Sequence, residues 1–87
     1  MELHQSNTFA NGDIVAFTST YVTFIKNHSN IFKVEHSICN NGNTMRVVRS
    51  RQFCNIPVLD INSKYGTALV KQKNVYKVYT RLICIAN

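Results

Sequence analysis

Acidic residues are scarce in this chain. Glu2, Asp13, Glu35 and Asp60 are the only carboxylates among 87 residues, and they are scattered along the sequence. No two are spaced for acid–base work, so the reading is of a protein that is not an enzyme. Neither a glycine-rich phosphate loop nor a dinucleotide fingerprint is present. The three cysteines, Cys39, Cys54 and Cys84, are odd in number and irregular in spacing, which makes a poor disulfide framework. They read as reduced, mostly buried thiols in a cytoplasmic setting. Cys54 or Cys39 beside His36 would be the one arrangement left for a nucleophile, and a half-buried histidine among core cysteines is the plainer reading. His36-x-x-Cys39 with Cys54 and His28 or His4 matches no common zinc spacing, so neither a metal nor another cofactor is expected. No apolar run approaches the roughly 20 residues of a membrane helix. The polar start MELHQSNTFANGD lacks the basic and apolar regions of a secretory signal. A soluble cytoplasmic chain with no membrane partner follows as the expectation. One proline, Pro57, and three glycines mark turns rather than linkers. The chain reads as a flexible arm over 1–11 and a single domain over 12–87.

What is abundant is β-forming sequence. Apolar and aromatic residues make up 45% of the chain, a globular composition with a modest core. Asn11-Gly12-Asp13 is a turn signal that opens the strand DIVAFT, and TYVTFIK, 20–26, reads as a second strand or an extended loop. In IFKVEHSI, 31–38, Phe32, Val34, His36 and Ile38 alternate with Lys33, Glu35 and Ser37, the period of a half-buried strand. Asn41-Gly42 then predicts a type I′ turn, and a hairpin with TMRVVRSR. VLDI, 58–61, and TALV, 67–70, flank Asn62–Gly66 as a second hairpin. NVYKVYTRLICIA, 74–86, carries helical spacing and strand composition together. Strand is favoured, with a short helical turn near 74–76. The expected fold class is all-β, a small antiparallel barrel of five or six short strands.

The net charge is +6, unevenly placed. Residues up to Thr44 carry two lysines against three acids, −1. From Met45 onward Arg46, Arg49, Arg51, Lys64, Lys71, Lys73, Lys77 and Arg81 stand against Asp60 alone, +7. Such asymmetry suits a polyanionic partner, although AT-rich coding also inflates lysine. Register decides whether the three clustered arginines act together. An uninterrupted hairpin about Asn41-Gly42 sets Val34 opposite Arg49 and drives a guanidinium onto the apolar face. A β-bulge at Val47-Val48 sets Glu35 opposite Arg49, Lys33 opposite Arg51 and Val34 opposite Ser50. It gathers Arg46, Arg49 and Arg51 on the outer face and removes the buried charge. Tyr65, in the Asn62–Gly66 loop, is the aromatic best placed to stack on a base, while Tyr76 and Val78 read as core.

The stretches NGDIVAF, the FKVEHS hairpin and GTALVKQKNVYKV, together spanning about 12–79, resemble an SH3-like barrel of the KOW type. The resemblance implies a nucleic-acid- or protein-binding module of transcription, translation or phage proteins. The expected function is binding of DNA or RNA backbone by a small basic protein, such as a phage or mobile-element regulatory factor. The binding set is Lys33, Arg46, Arg49, Arg51, Lys64, Tyr65, Lys71, Lys73, Lys77 and Arg81. The alternative is a module that docks its basic face on an acidic host protein, as a monomer or as a dimer through an exposed edge such as TALV.

Overall fold

The computed structural model describes residues 8–78. It is mostly β. Five strands form one open antiparallel sheet: β1 (Ile14–Phe17), β2 (Met45–Phe53), β3 (Ile56–Ser63), β4 (Gly66–Lys71) and β5 (Val75–Lys77), in the order β4-β3-β2-β1-β5. Two helices, α1 (Ser19–Asn27) and α2 (Lys33–Asn40), lie between β1 and β2, and a 3-10 turn at Gln72–Asn74 joins β4 to β5. β4 and β5 are not paired, so the sheet does not close. None of the helices among the described residues is long and apolar enough to cross a membrane.

The largest correction to the sequence reading is that 20–26 lies within helix α1 and that 33–38, most of the strand expected over 31–38, lies within helix α2. Thr18 caps α1, its Oγ1 accepting from the Tyr21 N–H at 3.3 Å. Tyr21, Phe24 and His28 then follow at helical spacing with their rings stacked, and Phe32 joins this ring ladder tilted against Phe24. Glu35 sits in the first turn of α2, where the helix dipole favours a carboxylate. Ile38 is the one fully buried residue of α2, and Val34 one turn before it packs beside it against the core. Asn41-Gly42 is not a hairpin turn but the end of α2. Gly42 takes φ 109°, and the Asn43 N–H reaches back to the Ile38 carbonyl at 2.9 Å. Asn43, itself at φ 54°, substitutes for a strand. Its Oδ1 accepts from the Phe17 N–H at 3.2 Å and its Nδ2 donates to the Phe17 carbonyl at 3.1 Å.

The long hairpin is β2–β3, and its tip is Cys54-Asn55, with φ 52° and 66°. Positive φ at both central positions is the type I′ pattern, here without glycine. Cys54 is exposed there, not a buried thiol, and Cys39 is half-buried. Cysteine in a left-handed conformation is strained. Changing the pair to Asn-Gly (Cys54→Asn with Asn55→Gly) should therefore raise stability by about 1 kcal/mol, read as a higher urea midpoint at unchanged slope.

The core lies between the inner face of the sheet and the helices. Val15, Phe17, Val47, Leu59 and Ile61 from the sheet meet Ile25 of α1 and Ile38 of α2, all at 0–1% exposure. Phe9, in the expected N-terminal arm, is docked in this core, while residues 1–7 lie outside the described residues. The VLDI/TALV hairpin is present, closed by a two-residue turn at Lys64-Tyr65 rather than a longer loop. β5 buries Val75 and leaves Tyr76 41% exposed, so Val75 replaces Tyr76 as the core residue. The helical turn precedes 75–77, and the rest of 74–86 from Tyr79 onward lies outside the described residues.

Candidate functional site

The bulge expected at Val47-Val48 is present, against a different partner. β2 pairs with β3, and the register shifts between Val47 and Arg49. Val47 opposes Ile61 on the inner face, Val48 is the extra residue, 44% exposed, and alternation resumes one step later. Arg46, Arg49 and Arg51 thereby leave the sheet on the same, outer side. With β4 they form three cross-strand rows: Arg46, Asn62 and Thr67; Arg49, Asp60 and Leu69; Arg51, Val58 and Lys71.

Asp60, not Glu35, lies among the arginines. Its Oδ2 accepts from Arg49 Nε at 3.0 Å and from Arg51 Nε at 2.9 Å, and its Oδ1 accepts from Arg51 Nη2 at 3.2 Å. The bonds from Arg51, then those from Arg49, hold the Asp60 carboxyl below its usual range. The bond to Asp60 in turn holds Arg51 above its ordinary value. One carboxylate therefore orients two guanidinium groups and neutralises one charge. Arg46 has no ion-pair partner among the described residues. The Arg51 guanidinium also stands 5.8 Å from the Phe53 ring centre, and Phe53 is 51% exposed.

The structure brings only part of the expected set together. Arg46, Arg49, Arg51 and Lys71 share the outer face. Lys33 begins α2, in the layer that covers the opposite face, because 33–40 is a helix and not a strand beside β2. Lys64 is in the β3–β4 turn, its ammonium 5.6 Å from the ring centre of Tyr65. Tyr65 is packed against the core, which argues against the freely stacking role expected for it. Lys77 is engaged by Asp13 at 3.5 Å and by the Phe9 ring at 5.5 Å, so its charge serves the fold. Lys73 is in the 3-10 turn beside the helices, and Arg81 lies outside the described residues. Two features have no counterpart in the expected set. One is the Asp60 clamp. The other is a groove of about 490 Å³ between α1 and β4, lined by Tyr21, Phe24 and Phe32 with Lys71 and Lys73.

His36 and Cys39 lie on α2, where the Asn40 side-chain amide reaches His36 Nδ1 at 3.4 Å. Burial pushes the Cys39 thiol up, the direction opposite to that of an activated nucleophile. Among the described residues, no three His, Cys, Asp or Glu side chains are grouped to hold a metal ion. No protein-family model matches the chain, and neither a curated protein nor a solved structure matches it.

Proposed function

We propose that the chain is a small basic nucleic-acid-binding protein that grips the phosphate backbone of DNA or RNA with the outer face of its sheet. The observation that carries this reading is the bulge at Val48. In a regular strand Arg46 and Arg49, three residues apart, would leave the sheet on opposite sides. Guanidinium forks bind phosphate oxygens two at a time, and Asp60 holds two of these forks in place without matching the charge of the face. Arg46 and Lys71 add cations on either side.

The finer reading of the fold is an SH3-like barrel. What supports it is the connection between the two edge strands, which lie at opposite ends of the strand order yet are separated in the chain only by Gln72–Asn74. So short a link requires the sheet to curl strongly. Of the stretches that carry the KOW resemblance, the first and last contain strands β1, β4 and β5, and FKVEHS, after Phe32, lies in helix α2.

The test is fluorescence anisotropy with labelled single- and double-stranded oligonucleotides at stepped salt. Four cations on phosphates give a log–log slope of roughly −3. Absence of binding at low salt, or a flat salt profile, ends this reading.

A further inference from the structure

We propose that the free edge of β4 is a docking site for an extended, acidic–apolar peptide segment of a partner protein, which adds to the sheet as a further strand. This site adjoins the arginine face, with which it shares Lys71, and does not depend on nucleic-acid binding.

β4 is an edge strand, and no described strand pairs with its outer side. Alternate N–H and C=O groups along such an edge point outward and accept a new strand. Most edges are guarded by a bulge, a proline or inward-pointing charge. The six residues of β4, GTALVK, have none of these until the terminal Lys71. Their register with β3 is unbroken from Ser63/Gly66 to Val58/Lys71. The strand therefore offers another chain a ladder with no bulge in it.

Two depressions flank this edge, one on each side of the sheet. The 490 Å³ groove runs between β4 and the Tyr21, Phe24 and Phe32 rings. A second, of about 290 Å³, lies on the outer side among Phe53, Ile56, Val58 and Leu69. Leu69, Val70 and Lys71 border both. Successive side chains of an added strand point to opposite faces, so alternate apolar residues would enter one depression and then the other. A single edge with a receptacle on both sides matches that periodicity.

Charge selects the peptide. Neither depression is lined by a carboxylate, while Lys71 and Lys73 border the inner one and Lys71 the outer. A second copy of β4 fits poorly. Antiparallel pairing would set Lys71 and Lys73 of one copy toward the Lys64 end of the other, with no acid in either β4. A nucleic acid strand fits poorly in the inner groove as well. Phe24 stacks on Tyr21 at 5.7 Å and on His28 at 4.3 Å, one from each side along α1. Its faces are taken, and bases need open faces.

The experiment uses a fluorescein-labelled peptide, Asp-Glu-Val-Leu-Val-Leu-Glu-Asp, with anisotropy and amide hydrogen exchange on the whole chain. Two companion peptides carry N-methyl groups at alternate residues, one in each register. The parent peptide should bind and slow exchange in Gly66–Lys71. One N-methylated register should lose binding, and Lys71→Glu with Lys73→Glu should weaken the parent about tenfold. Any of four results overturns the proposal. The first is no binding of the parent, and the second is binding of both N-methylated peptides as tight as the parent's. The third is protection confined to Arg46, Arg49 and Arg51. The fourth is a response of β4 only to an oligonucleotide, or only to self-association that Leu69→Lys abolishes.

Discussion

Replacing Ile38 by alanine should destabilise the protein by about 3 kcal/mol, measured by urea denaturation. Ile38 is 1% exposed and is the only buried residue of α2. Its carbonyl also accepts the Asn41 and Asn43 N–H groups that end the helix. Removing a buried aliphatic side chain loses its transfer free energy and leaves a cavity, together about 2–5 kcal/mol. Neighbouring helices hold Ile25 and Ile38 against one sheet, so the site cannot collapse easily. The backbone bonds of the cap do not involve the side chain, so the loss should be of packing alone. Ile38→Val should then cost only about 1 kcal/mol. A domain of this size has a total stability on the order of 5 kcal/mol, so Ile38→Ala should leave it marginal and shorten the native baseline. A loss below 1 kcal/mol for Ile38→Ala would mean that α2 does not close the core.

The same residue shows why the helices were illegible in the sequence. Val34 and Ile38 are four apart, a spacing shared by the strand period of two and the helical period near 3.6. Phe32 and His36 completed an apparent alternation, but Phe32 precedes α2 and belongs to the ring ladder. The β-branched residues of 20–26 argued for strand, and burial of Ile25 against the sheet overrode that local preference. The turn chemistry misled for a related reason. Asn-Gly serves hairpins and helix ends alike, because both need positive φ, while the real hairpin tip is the unglycinated Cys54-Asn55. Asp60 could not be found as the arginines' partner until β3 replaced 31–38 as the strand beside β2. The bulge was argued from the wrong partner, 31–38, and held because the conflict lies within β2 itself: an unbroken strand that turns Val47 to the core turns Arg49 there as well. Whichever strand lay beside it, Val47 had to face the core and Arg49 had to avoid it.

That face carries the second prediction, in which two changes act in opposite directions. Alanine at Arg46, Arg49 and Arg51 together should weaken oligonucleotide binding roughly a hundredfold at low salt and flatten the salt slope by two to three units. Asp60→Asn should do the reverse, tightening binding about fivefold at low salt and steepening the slope. It removes the one carboxylate among the arginines and leaves a side-chain oxygen to accept from Arg51. The charge released acts on every nearby phosphate, whereas the lost orientation affects two side chains that phosphate itself can order. The gain should vanish at high salt, where screening removes the long-range part. Stability should move the other way, with a defined pH dependence. Because the folded protein holds the Asp60 carboxyl below its usual range, its contribution is fully present above about pH 4 and is lost as pH falls through the depressed value. In Asp60→Asn that acid limb of the stability profile should disappear, leaving the variant less stable than the parent at neutral pH and nearly equal to it in strong acid. If Asp60→Asn weakens binding as the triple alanine change does, the carboxylate is part of the contact surface and the arginines do not act as free phosphate ligands.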